Sequence, residues 1–578
     1  MRVSSAPMPS LASLSLGFRE RFLTHDEITA QLEQWSDAFP ELVRTESIGT
    51  TPEGRSIWML IVGKEPERAR PAVWVDANMH AGEVSGSCVA LAIAEALLAL
   101  HTGESNVAFA PLPTHLRARL LDSLFYIVPR ISPDGAEAVL RDGRYVRSVP
   151  RDARALHTAH WINEDLDGDG RALFMRKEDP TGDFVTHPDA PHVLVARTID
   201  DVGPFYKVWP EGRIANFDGE HVPAPSYLAD NHPDLNRNFP FRWAAEPDQN
   251  GAGAFAGSEP EARAVIEAAV AHPHLYAWLD LHTFGGCFIR PPGDVPDHKM
   301  EPLDLAIYKQ VGEWAESITG YPMVSGFEEF LYEPDKPLFG ALSEWAYEHR
   351  ATLSYVCELW DLFARLGIPR PKRFVDYYTS LRREDIAKLA TWDREHNKSR
   401  IFVGWTKVNH PQLGEVEVGG IDRRVGLYNP PLELLGEVCD TQATLMLRVA
   451  TLVPQLVVTH RLESVRGATR ITLTVENRGY LGTYGVRGAQ RRTFNEGVFA
   501  ELSIEGCVLD APRTMFDLGH LEGWGKGLQA SSQAIFFQTS GGSDGSKSIT
   551  FTTSGKGTVH VRVGSRRTGF ITHEIHVG

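Results

Sequence analysis

Up to about residue 400, short continuous apolar runs alternate with longer stretches of helical spacing. Residues 72–75 (Ala-Val-Trp-Val) form one run, ending at Asp76; residues 124–128, 276–281 and 352–357 form others, and 57–62 a shorter one. Continuous runs of this length suit strands buried on both faces. Helical patterns lie between them. Residues 24–39 place Ile28, Leu32 and Trp35 on one side, with Thr24 or Asp26 able to cap the start. Residues 84–100 are apolar, proline-free and rich in helix formers; 259–271, 302–319, 339–349 and 372–396 also read as helical. Strands alternating with helices predict an α/β domain, with a mixed, mostly parallel sheet covered by helices on both faces.

Two regions break this pattern. Residues 147–227 are rich in Asp, Pro, Gly and His and show little periodicity. They read as a long insertion, at about 150–230, lying over the surface near the site. After about residue 400, short alternating runs recur between Gly, Asn and Ser, which predicts an all-β sandwich. The expected organisation is an N-terminal extension (1–23), a first domain (24–398) carrying the insertion, and a β-rich C-terminal domain (399–578) with its sandwich from about 435. A chain of 578 residues is long enough for two or three domains.

Composition narrows the function classes. The net charge of −17 sets the chain against a nucleic-acid backbone and offers no basic patch to a membrane surface. Five cysteines, widely spaced and odd in number, suit reduced, buried thiols better than a disulfide framework. The first 22 residues lack the continuous apolar core of a signal peptide, and no stretch reads as a membrane span, so a cytoplasmic location is expected.

The chemistry sits where strands end. His80 and Glu83 fall on the turn between the run ending at Asp76 and the helical stretch from 84. That is the carboxyl end of a strand, where open α/β sheets place their sites. A His and a carboxylate three apart can share one zinc ion, although a loop His and a first-turn Glu favoured by the helix dipole give the same string. His282 ends the run at 276–281 and supplies a third ligand, leaving a position open for water. Glu358 ends the next run, in an apolar setting that raises a carboxyl pKa and suits a proton shuttle. The polar stretch Asp234-Leu235-Asn236-Arg237-Asn238 follows the insertion. Arg237 can clamp a carboxylate, Asn236 can add an amide donor, and Asp234 can orient a metal-bound His. Within the insertion, Asp165-Leu166-Asp167-Gly168-Asp169-Gly170 begins like a calcium loop. Arg176, however, stands at the twelfth position, where such a loop carries a bidentate Glu. Asp165, Asp167 and Asp169 are therefore candidate calcium ligands, with a solvated acidic turn as the competing reading.

Together these stretches resemble the zinc metallocarboxypeptidases of the pancreatic carboxypeptidase A and B type, over roughly residues 24–396. The match runs in the family's order: His80-Ala81-Gly82-Glu83; Ser132-Pro133-Asp134-Gly135; Asp234 to Asn238; Ser258-Glu259-Pro260-Glu261; His282; and Gly340 through Glu358-Leu359-Trp360-Asp361. The resemblance implies a bacterial-like member with a C-terminal β-sandwich extension. It implies zinc on His80, Glu83 and His282, Glu358 as general base, and Arg147 stabilising the oxyanion. Asn236 and Arg237 would grip a terminal carboxylate, and Asp234 would hold His80. The implied partner is a peptide or peptide-like substrate with a free C-terminus.

Three positions depart from the family. Gly82 replaces an arginine of the digestive members. Lys336 falls, by ungapped counting, where the mobile substrate-binding tyrosine is expected, and Tyr332 is its counterpart if the loop carries a short insertion. Side-chain preference falls near Ser343 and Glu344, neither of them apolar. Two alternatives stand beside a carboxypeptidase: a related zinc amidase acting on cell-wall, γ-glutamyl or acyl-amino-acid substrates, and an inactive scaffold whose sandwich binds a ligand.

Overall fold

The computed structural model describes residues 10–104, 112–151, 157–225, 233–333, 336–528 and 542–578. Its centre is an eight-stranded mixed sheet. The strands are β1 (Val43–Thr50), β2 (Ser56–Val62), β3 (Ala72–Ala77) and β4 (Leu124–Val128). After the insertion strands β5 (His160–Asn163), β6 (Phe174–Glu178), β7 (Phe184–His187), β8 (Ala190–Ala196), β9 (Phe205–Pro210) and β10 (Gly212–Ala215), they continue as β11 (Leu275–Thr283), β12 (Cys287–Arg290), β13 (Met323–Ser325) and β14 (Leu353–Leu359). The order is β1-β2-β4-β3-β11-β14-β12-β13. The central neighbours β4, β3, β11 and β14 run parallel, so their carboxyl ends open on one edge. Every residue of β3, β4 and β11 is buried, as their continuous apolar runs require.

Helices cover both faces. On one lie α1 (His25–Ala38), α2 (Ser85–Thr102) and, further along the chain, α4 (Pro302–Thr319); on the other lie α3 (Pro260–Ala271) and α5 (Leu342–Arg350). Thr24 caps α1 in a reciprocal box with Glu27. Against the expectation of no span-like stretch, α2 is long and apolar enough by length and composition to cross a membrane. It is 83% buried inside this fold, as the helix that the sheet packs against. All five cysteines are buried and unpaired.

The described part of the insertion, 157–225, is not irregular. Its strands β6 to β9 join β15 (Phe402–His410) and β16 (Gly414–Ile421) in a six-stranded sheet ordered β15-β16-β6-β9-β7-β8, while β5 pairs with β10. Two segments more than 170 residues apart in sequence thus build one layer: β16 pairs with β6 through Val418 opposite Met175. A second correction concerns the start of the sandwich. Residues expected to open it at about 435 form helix α6 (Leu435–Ala450), which packs on α2 and α4. Leu435, Val438, Cys439, Gln442, Ala443, Met446, Leu447 and Ala450 follow helical spacing and are buried. Among the described residues the sandwich strands run from Leu456 to Val577, in two four-stranded sheets around a separate apolar core.

Candidate metal centre

His80, Glu83 and His282 converge at the carboxyl ends of β3 and β11. All three are at most 4% exposed. His80 Nδ1 lies 2.9 Å from Glu83 Oε1, and His282 Nδ1 lies 3.1 Å from Glu83 Oε2 and 3.0 Å from His80 Nδ1. A tetrahedral zinc ion with bonds of ~2.0–2.1 Å needs donors roughly 3.3 Å apart, so the ion fits among these atoms after shifts of a few tenths of an ångström.

The outer nitrogens support the same reading. His80 Nε2 faces Asp234 Oδ1 at 3.1 Å, and His282 Nε2 faces Asp280 Oδ2 at 3.0 Å. Asp234, hydrogen-bonded to His80 Nε2, holds the proton there and leaves Nδ1 free as a ligand, and Asp280 stands within ion-pair distance of His282 Nε2. Asp280 was not singled out from the sequence, although its position two before His282 on a strand puts it on the same face. It lies beside Asp76 in register. Asp76 accepts both Trp74 Nε1–H (2.7 Å) and Trp278 Nε1–H (2.8 Å), and burial together with the Asp280 charge raises its pKa.

The local field favours a cation. Burial would raise the Glu83 pKa, but His80 and His282 outweigh it and hold the carboxyl below its ordinary value. His282 is raised: desolvation opposes its charge, and Asp280 and Glu83 overcome that.

The remaining sequence candidates gather around the triad. Arg147 donates from Nε to Asp234 Oδ2 at 3.0 Å and reaches Glu83 Oε1 at 3.6 Å. Glu358 stands on β14 in register with His282, and burial pushes its carboxyl up to about 8. Asn236 spends its amide oxygen on the Leu342 N–H at the start of α5 (2.9 Å), which leaves its amide hydrogens for a ligand. Arg237 donates Nη1 to the Asn236 carbonyl and keeps a buried Nε with no partner among the described residues. Arg147, Asn236, Arg237, Glu358 and Tyr332 all line one cleft of about 540 Å³ with the triad; Tyr332 is 53% exposed at its wall. Lys336, the ungapped alternative to Tyr332, is exposed and pairs with Glu333.

Sequence reasoning placed Glu344 near the specificity position, and the cleft includes it. Its Oε2 accepts from Ser343 Oγ at 3.0 Å. A Cβ on Gly293 would sit 2.6 Å from its Oε1, so that glycine makes room for the carboxylate. Burial raises its pKa, and among the described residues no ion pair neutralises it.

The acidic turn does not form the expected set. Asp165 accepts the N–H groups of Gly168 and Gly170, Asp167 accepts that of Asp169, and Asp169 pairs with Arg171. The third carboxylate near Asp165 and Asp167 is the buried Glu211, whose oxygens accept the Leu166 and Leu173 N–H groups. These carboxylates staple their own turn, and Asp169 is drawn away to Arg171.

Comparison with known proteins gives the family. The zinc carboxypeptidase family model matches residues 28–171 and 223–377, just over half of the chain, and the chain belongs to that family. A domain of unknown function (DUF8731) matches residues 455–576, the sandwich. Carboxypeptidase M of Mus musculus is 28% identical over 142 residues, which is 24% of this chain and 29% of that protein. Carboxypeptidase B of Astacus astacus is 27% identical over 126 residues, 22% of this chain and 37% of that one. The chain thus spans roughly a third of the curated relatives it matches. Among solved structures, thrombin-activatable fibrinolysis inhibitor aligns over 77% of this chain and 79% of its own at 16% identity, with a TM-score of 0.41. Carboxypeptidase A from Helicoverpa armigera aligns over 60% and 68% at 19% identity, with a TM-score of 0.38.

Proposed function

We propose that this protein is a zinc-dependent metallocarboxypeptidase that hydrolyses the last peptide bond of substrates with a free C-terminus. The observation that carries the reading is the convergence of two imidazole nitrogens and a carboxylate in the same cleft as Arg147, Asn236, Arg237 and Glu358. Zinc held by His80, Glu83 and His282 would polarise the scissile carbonyl and acidify the attacking water.

The chain's own residues divide the remaining work. Arg237 and Asn236 bind the terminal carboxylate, which fixes the last peptide bond against the triad and explains exopeptidase cleavage. Arg147 offers its guanidinium to the carbonyl oxygen as negative charge develops there; one such donor is typically worth roughly 3 kcal/mol. Glu358 takes the proton from water as its oxygen bonds to the carbonyl carbon, then delivers it to the amine nitrogen as the C–N bond breaks. Burial raises the Glu358 pKa in the metal-free cleft, and a bound cation would draw it back toward the range in which the carboxylate can accept a proton. With the carboxylate fixed at Arg237, the terminal side chain lies toward Glu344. Glu344, a partly buried carboxyl with no ion-pair partner among the described residues, would favour a cationic side chain there, because that charge would offset the desolvation that raises its pKa.

Glu358→Gln tests the mechanism. Turnover of an N-acylated dipeptide should fall roughly 10³-fold, while zinc content and the circular dichroism spectrum match the parent. Cleavage at the parental rate would discard Glu358 as the base. Peptides with an amidated C-terminus should resist the parent enzyme; if they are cut as fast as the free acids, the carboxylate clamp is wrong and the amidase alternative gains.

A further inference from the structure

The turn that carries His80 and Glu83 is not held by the family-matched domain alone. Glu83 leads into α2, whose N-cap position is Val84, and no side chain of the helix's own start caps it. The first backbone N–H groups of a helix need partners, and a buried one without any is costly. The Ser85 N–H finds its partner 344 residues away: it donates to Asn429 Oδ1 at 2.8 Å. The same side chain donates Nδ2–H to the Gly82 carbonyl at 2.8 Å and to the Arg424 carbonyl at 2.9 Å. One fully buried amide therefore grips the backbone on both sides of Glu83.

The loop that presents Asn429 follows β16 and lies outside residues 28–171 and 223–377. It is tied down elsewhere too. Trp360 Nε1, two residues beyond Glu358, donates to the Gly426 carbonyl at 3.0 Å, and Asn397 Nδ2 donates to the Val425 carbonyl at 3.0 Å. Tyr428 stacks on Phe284 with centroids 5.5 Å apart, stands where a Cβ on Gly82 would sit 3.4 Å from its ring, and lines the cleft. The loop thus joins the metal turn to the end of the strand that bears Glu358.

We infer that Asn429 is a positioning residue of the metal centre. Its amide caps α2 from a distant segment and sets where the Glu83 carboxylate stands relative to the two imidazoles. The inference rests on His80, Glu83 and His282 being the zinc ligands. Residues that orient ligands from outside the coordination shell typically change metal affinity by roughly 10–100-fold.

The test is zinc affinity of the full chain, measured by competition with a chromogenic chelator, with thermal melting of the metal-free proteins alongside. Asn429→Ala should bind zinc roughly 10–100-fold more weakly than the parent. Asn429→Asp keeps an acceptor for the Ser85 N–H but loses the donor to Gly82, and should fall between. Asn397→Ala loosens the same loop without touching the turn and should bind zinc as the parent does. Parental affinity in Asn429→Ala overturns the inference, as does equal weakening in Asn397→Ala. If Asn429→Ala does not fold, parental affinity in Asn429→Asp overturns it. A parent that binds no zinc would instead sink the ligand assignment itself, so the two failures are distinguishable.

Discussion

The two ends of β11 and β14 are finished in opposite ways. At their carboxyl ends, His282 and Glu358 point polar atoms into a cleft and leave a place that a cation would complete. At their amino ends, the sandwich inserts Arg567, which is 3% exposed. Its guanidinium donates to the carbonyls of Pro273 (3.2 Å), Leu275 (3.0 Å), Arg350 (2.9 Å) and Ala351 (2.7 Å), and it lies 4.7 Å over the Tyr276 ring. No carboxylate is among these partners; carbonyl dipoles and a ring face carry the charge, and burial lowers the arginine's pKa. One end is left open for a ligand and the other is closed by the protein itself. The comparison gives the sandwich a physical role: it completes the sheet that displays the proposed metal ligands.

The largest expected effect comes from breaking the closed end. Arg567→Ala would remove the guanidinium's hydrogen bonds from four carbonyls, of which Ala351 keeps the Val486 N–H, and open a cavity over Tyr276. Removing one side of such a buried charged network typically costs about 3–5 kcal/mol. The denaturation midpoint should fall accordingly, while the folded variant keeps zinc affinity within about twofold of the parent, because no ligand contacts this end. Loss of zinc binding in a folded Arg567→Ala protein would show that the two ends are not independent.

How legible each end was follows from the range of its contacts. The proposed metal turn is local: His80 and Glu83 are three apart, at the end of a run that reads as a buried strand, and the α/β alternation placed His282 and Glu358 on equivalent strand ends. Asp280 was within reach, since i and i−2 share a strand face, but an Asp inside an apolar run has no partner visible in sequence. Asn429 and Arg567 were invisible, because each binds backbone carbonyls or N–H groups hundreds of residues away, and backbone groups leave no mark on composition. The insertion read as irregular because its strands are short and their sheet partners, β15 and β16, come after residue 400. Helix α6 was missed for another reason. Its apolar positions have helical spacing but sit at the front of a region of alternating strands, and the regional pattern prevailed over the local period.

A smaller effect sharpens the open end. Helix α5 touches both: Arg350 at its end supplies a carbonyl to Arg567, and Glu344 in its first turn faces the cleft. Glu344→Gln should lower the preference for C-terminal Lys or Arg over Leu by roughly 10–100-fold in the ratio of kcat/KM, with little change for Leu. The thermal midpoint should stay near that of the parent. An unchanged ratio would remove Glu344 from substrate recognition.

The smallest effect separates the ends by their response to pH. In the metal-free protein, burial holds the Glu358 carboxyl at about 8, against 4.5 for the ordinary group. Between those values the folded state keeps a proton that the unfolded state releases. The contribution is therefore fully present below about pH 4.5 and is lost as pH rises through about 8. Glu358→Gln has no such proton to keep, so its stability should decline less from pH 5 to pH 8 than the parent's. Because the carboxyl borders a wet cleft, the expected difference is of order 1 kcal/mol. Arg567 stays charged throughout this interval, so Arg567→Ala should lower the stability curve by a similar amount at every pH and leave its slope alone. Chemical denaturation of the three chelator-treated proteins at pH 5, 6.5 and 8 measures both quantities. Parallel curves for the parent and Glu358→Gln would mean that Glu358 is already ionised in the folded, metal-free cleft.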